Sequence, residues 1–79
     1  MKPIIDLLNK IRWDKREKPE DYEIFYFDRI SKKLVKIPFE LIKRIEGSFM
    51  VIDRNGEEVE IPLHRVREVK KKGVVVWKR

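Results

Sequence analysis

The sequence predicts an α+β fold: an N-terminal helix, then a small, mostly antiparallel sheet or barrel of five or six short strands with two short helical turns. Three observations predict it. Ile4, Leu7, Leu8 and Ile11 recur at i, i+3, i+4 and i+7, the stripe of a helix that buries one face. Beyond Tyr22 the helical period gives way to short apolar runs, two of them joined by Asn55-Gly56, the strongest short-range hairpin signal. Finally, one pattern occurs twice. Ile37, Pro38, Phe39, Ile42 and Ile45 match Ile61, Pro62, Leu63, Val66 and Val69 in register.

The helix is expected over residues 3–12, because Pro3 suits a first helical turn, with Trp13 as its exit. So short a helix is marginal alone and must dock on the remainder of the domain. Trp13 to Asp21 reads as a charged linker closed by Pro19. In Tyr22–Phe27, period-2 alternation puts Tyr22, Ile24 and Tyr26 on one face and Glu23, Phe25 and Phe27 on the other. Apolar groups on both faces predict a central or helix-covered strand. Asp28 to Lys32 makes a turn and Leu34–Ile37 returns as the next strand. Pro38 then opens a helical turn, Phe39 to Ile42, able to run on toward Ile45.

Gly47 resets the chain for a strand Ser48–Asp53, which the Asn55-Gly56 turn joins to Glu57–Ile61. A type I′ turn needs positive φ at both central residues, which is why Asn and Gly carry that signal. Pro62 opens the second helical turn, Val66–Val69 is a further short strand, and a basic turn ending at Gly73 leads to Val74–Lys78. With Asp28-Arg29 and Asp53-Arg54 lying upstream of the two matching stretches, residues 28–54 and 53–79 read as related β units. No linker is long enough to divide residues 1–79 into two domains.

At 79 residues a single core is only just sufficient, and without cysteine neither disulfide nor thiolate–metal site can assist it. No apolar run approaches the roughly 20 residues of a membrane span, and no signal peptide is evident, so a cytoplasmic protein is expected. Charged residues of both signs make up 43% of the chain, and Asn9 and Asn55 are its only amides. That composition resembles thermophile proteins, in which ion-pair networks are favoured. A net charge of +6 on so small a domain points to an anionic partner, nucleic acid first.

The chemistry follows from where the charge sits. Arg65, Arg67, Lys70, Lys71 and Lys72 form a run that phosphates would attract, and Trp13, Tyr22, Tyr26 and Trp77 are rings on which bases could stack. The two matching stretches differ where it counts: Glu40-Leu41 in the first, His64-Arg65 in the second. There is no Gly-rich phosphate loop, no metal-spaced cluster and no cysteine nucleophile. His64 is the sole histidine and lacks a second catalytic group, so binding is expected, with no catalytic residue, metal or cofactor assigned.

LLNKIRWD near the start, the aromatic strand ending in Asp28-Arg29, and IPLHRVREVKKKGVVVWKR at the end resemble a small family of archaeal proteins. The same module is found fused to RNA-processing enzymes and has been proposed as an RNA cyclic-phosphate end-recognition domain. The resemblance spans essentially the whole chain and is most specific at Ile11-Arg12-Trp13-Asp14 and Pro62-Leu63-His64-Arg65. One departure is Lys15, where the family often has proline. The resemblance implies Arg12, Trp13, Asp14, Asp28, Arg29, His64, Arg65 and Trp77 as site residues.

A cyclic phosphate presents two non-bridging oxygens, which an arginine fork addresses together and a lysine does not. A histidine adds a bond, and an indole can stack on the terminal base. Arg65, His64 and Trp13 are the residues placed in those roles. The expectation is therefore a non-enzymatic RNA-binding module for phosphate-bearing or cyclic-phosphate ends, with RNA-processing or repair enzymes as further partners. The alternatives are a protein-interaction adaptor with a basic surface, and a weak RNA-end phosphoesterase.

Overall fold

A computed structural model describes residues 3–79; Met1 and Lys2, the start of the expected domain, lie outside the described residues. Helix α1 spans Ile4–Trp13, one residue past the expected end, and Pro3 is its N-cap rather than a member of its first turn. Pro3 sits at φ −58°, ψ 143°, outside the helical region, while its carbonyl already accepts the N–H of Asp6 at 3.1 Å. Ile4, Leu8 and Ile11 are buried and Leu7 is half-buried, so the stripe docks as the period requires. The charged linker is not featureless: Pro19–Asp21 forms a 3-10 turn.

Seven strands follow: β1 (Tyr22–Asp28), β2 (Lys33–Pro38), β3 (Ile42–Glu46), β4 (Phe49–Arg54), β5 (Glu57–Pro62), β6 (Val66–Lys71) and β7 (Val74–Lys78). They make two antiparallel sheets, ordered β2-β1-β6-β7 and β3-β4-β5. The α+β class, the leading helix and the antiparallel pairing are as the sequence predicts. Five or six strands in one sheet or barrel is corrected to seven strands in two sheets, which do not close into a barrel. The extra strand is β3. Phe39, Ile42 and Ile45 are three apart, a spacing that reads as helix, yet Ile42 leaves the helical region at φ −75°, ψ 115°. From there the chain pairs with β4 instead, Ile45 opposite Met50.

Two corners carry the chain between sheets. Pro38 (φ −66°, ψ 142°) ends β2 and Pro62 (φ −59°, ψ 136°) ends β5. A three-residue 3-10 turn follows each, Phe39–Leu41 and Leu63–Arg65, closed by an N–H returning from Ile42 to Phe39 and from Val66 to Leu63. Phe39 and Leu63 plug into the core between the sheets, beside Ile24, Ile37, Met50, Ile52, Ile61, Val66 and Val69. The β4–β5 hairpin turns at Asn55 (φ 53°) and Gly56 (φ 86°), and the Asp53 carboxylate caps it by accepting the Gly56 N–H at 3.0 Å.

The second sheet pairs Lys43 and Arg44 with its own acids. Arg44 on β3 reaches across β4 to Glu58 on β5 with two parallel bonds of 3.0 and 3.1 Å, and also contacts Glu46. The bond from Arg44 holds the Glu58 carboxyl below its ordinary range, and the Tyr22 hydroxyl, donating to Glu17, does the same there. A carboxylate whose folded pKa is lowered adds stability that is complete above its ordinary pKa and lost as pH falls through the folded one. Stability should therefore be flat from neutrality down to about pH 5 and decline below about pH 4.5. Urea midpoints across that range check it: Glu58→Gln should flatten the decline, and an unchanged acid limb would exclude this pair as a contributor.

Candidate nucleic-acid interface

The two sheets differ in charge. The strands of the first carry six Lys and Arg against three acids, and those of the second three against five. A polyanion is therefore drawn to the first sheet. Its inner strand β1 buries Tyr22, Ile24 and Tyr26 and leaves Phe25 and Phe27 partly buried on the outer face. The register sets Lys36 and Leu34 of β2 beside these two rings on one side, and Glu68 of β6 beside Phe25 on the other. Lys70 Nζ lies 4.9 Å from the Phe25 ring centre and the Arg67 guanidinium 6.0 Å from that of Phe27.

The second corner adjoins this face. His64 is exposed, Arg65 is half-buried, and among the described residues neither makes a side-chain hydrogen bond or ion pair. Two further arginines are fixed by the carbonyls that a short helical turn leaves over. Arg67 Nη1 donates to the His64 carbonyl at 2.9 Å, Arg79 Nε to Val66 at 3.1 Å, and Arg79 Nη2 to Leu63 at 3.4 Å. Arg79 was not singled out by sequence reasoning. Its signal is weak, a terminal arginine beside Trp77, whose ring lies 5.3 Å below the guanidinium. At the start of the turn the Leu63 N–H bonds to the Ser48 carbonyl at 2.8 Å.

The other predicted residues scatter. Arg12 stacks on Trp13 at 5.5 Å, and Trp13 is 75% exposed, so this ring is available. Arg12, however, lines a hollow with Pro19, Glu20, Phe39, Glu40 and Ile42, which places it at the first corner. The ring tied to the second corner is Phe27, through Arg67. Tyr22, Tyr26 and Trp77 are 4–7% exposed and belong to the core, which corrects their reading as stacking faces. Burial of the aromatic body with only a polar tip satisfied is the usual fate of such rings in a small domain.

Asp14 and Asp28 organise turns. Asp14 accepts the Arg16 N–H at 2.9 Å and its guanidinium at 3.2 Å, which lowers the Asp14 pKa; Asp28 accepts from Ile30 and Ser31, each at 3.1 Å. Arg29 is exposed in that same turn. The lysine run divides: alternation sends Lys70 and Lys71 to opposite faces, and Lys72 lies beyond β6 in the turn, at φ 51°. Lys70 points to the outer face, while Lys71 pairs with Glu17 at 3.5 Å and Lys72 approaches Asp21 at 3.9 Å.

No helix of the described residues is long and apolar enough to cross a membrane, and no three of their His, Asp and Glu side chains are grouped to hold a metal ion. Relatives come from thermophilic archaea. A UPF0248 protein of Metallosphaera sedula is 41% identical over 76 residues, covering 96% of this chain and 91% of its own length. One from Saccharolobus islandicus is 37% identical over 79 residues, covering 96% and 98%, and one from Saccharolobus solfataricus 35% identical, covering 96% and 95%. No solved structure matches the chain. The full span of residues 1–79 matches one family, and the chain belongs to it: the MJ1316 RNA cyclic group end recognition domain.

Proposed function

We propose that the chain is a non-enzymatic RNA-binding module that holds a phosphate-bearing RNA end, cyclic phosphate included, at the corner formed by Pro62 to Arg67. The observation that carries this reading is the grouping of His64, Arg65 and Arg67 where the chain enters β6 of the basic sheet, with Arg67 bonded to the His64 carbonyl. The family's description, an RNA cyclic group end recognition domain, agrees with it. The Arg65 fork engages two phosphate oxygens, the His64 ring adds one bond, and the neighbouring cations hold the strand that leads to the end.

Titration with matched oligonucleotides ending in hydroxyl, linear phosphate or cyclic phosphate tests it. The wild type should prefer a phosphate-bearing end. Arg65→Lys should keep general affinity while narrowing that preference, and His64→Ala should cost about 1 kcal/mol on phosphate ends only. Wild-type ratios in both variants would remove the site from this corner, and equal binding of all ends by the wild type would end the reading. One observation favours a protein-interaction adaptor instead: the edge strand β7 exposes Val74, Val75 and Val76. That reading gains if no RNA end is bound above background.

A further inference from the structure

The outer face of the first sheet is built against the ordinary preference of its residues. On β1 the hydroxyl-bearing rings, Tyr22 and Tyr26, point into the core, where Tyr22 donates to Glu17 and Tyr26 accepts from Arg54 at 3.2 Å. The purely apolar rings, Phe25 and Phe27, lie on the other face and are only partly buried. Burial of area alone would favour the reverse, because a tyrosine tip tolerates water and a phenylalanine ring does not. Nor does α1 cover the two rings: its stripe packs into the core with Ile24, Tyr22 and Val69, on the opposite face of β1. Lys70 and Arg67 lie over them, and the exposed Leu34 and Lys36 of β2 stand beside them.

We propose that Phe25 and Phe27 form a nucleobase-stacking platform for single-stranded RNA, flanked by Arg67 and Lys70 as phosphate contacts. This deepens the RNA reading above and rests on it. Charge selects the occupant: the face belongs to the sheet with the cation excess, and each of its two aromatic rings sits under a cation, Lys70 over Phe25 and Arg67, held by the His64 carbonyl, over Phe27. Residues i and i+2 of a strand are about 7 Å apart, wider than stacked bases, so successive bases lie splayed, one per ring. Two carboxylates interrupt the field. Glu23 is held by Lys36 at 3.4 Å, and Glu68 faces Phe25 in the register. Glu68 repels phosphate from the middle of the face and can accept from an amino-bearing base edge, so bases lie centrally and the backbone runs past Arg67 and Lys70. Because Arg67 also bonds to the His64 carbonyl, the platform is continuous with the corner assigned to the RNA end.

The test separates ring from charge. Phe25→Leu and Phe27→Leu keep an apolar side chain on a strand but remove the π face, and a thermal melt checks that each folds. Each should weaken binding of a hydroxyl-ended single strand by roughly five- to a hundredfold, whereas Phe→Trp should retain it. The same oligonucleotide made abasic throughout should bind wild type and Leu variants alike, since no base is left to stack. Wild-type affinity in both Leu variants, or equal losses on intact and abasic RNA, would overturn the platform. The end-recognition reading fails separately, by loss of preference among hydroxyl, linear and cyclic ends with the ring effect intact. If the wild type binds no single strand at all, both fall.

Discussion

Leu8→Ala should destabilise the domain by about 2–5 kcal/mol, the range for a buried leucine whose cavity only partly collapses. Leu8 is fully buried at the middle of α1, between Ile4 and Ile11, and the three join one core with Ile24, Val66 and Val69. A ten-residue helix has little stability of its own, so its attachment depends on this stripe. A chain of 79 residues is held by roughly 4–12 kcal/mol in total, so the loss is a large share of it. The melting temperature should drop by roughly 10–35 °C in a circular-dichroism melt. Trp13→Ala in the same helix removes an exposed ring and should change stability by no more than about 0.5 kcal/mol. Similar melts for both variants would mean that α1 is not docked through this face.

The second large effect is electrostatic. Arg67→Glu combined with Lys70→Glu removes two cations from the first sheet and adds two anions. Each unit of charge at a single-strand phosphate is worth about 0.7 in the slope of log K against log salt, so the slope should fall by roughly 3. The screening-dependent part is small near 1 M salt, and extrapolating to 0.1 M puts the variant nearly three orders of magnitude below the wild type. Lys43→Glu makes the control. It lies on the second sheet, beside Glu58 at 3.7 Å, and should leave the slope nearly unchanged. If both variants lose slope in proportion to net charge, the polarity of the two sheets plays no part. The lysine run enters here too: Lys71 and Lys72, facing Glu17 and Asp21, should contribute less than Lys70.

Much of this was open to reading before any fold was known. The helix stripe, the Asn55-Gly56 turn, the proline corners and most strands are local, and local rules govern them: a period, a positive φ, a fixed proline φ. His64-Arg65 emerged by comparing two stretches that share their apolar positions and differ in polar ones. Other features depended on what packs where. Alternation separates Tyr22, Ile24 and Tyr26 from Glu23, Phe25 and Phe27 but does not say which set faces the helix, so the tyrosines could be read as stacking rings although they are core. The Phe39–Ile45 stretch was read as a helical turn from its spacing of three, and pairing with β4 made Ile42–Glu46 a strand instead.

By itself, then, the sequence determined the α+β class, the order of its elements apart from β3, the corners and an excess of positive charge. These follow from backbone preferences and apolar periods that act within a few residues. Tertiary structure alone decided that seven strands divide into two sheets, that cations gather on one of them, and that Lys70 faces outward while Lys71 and Lys72 turn to acids. It also decided that Trp77 is core, and that Arg67 joins the His64 corner to Phe27. The reason is common to all of them: each depends on contacts between residues distant in sequence, whose geometry exists only once both sheets and the helix have closed on a single core.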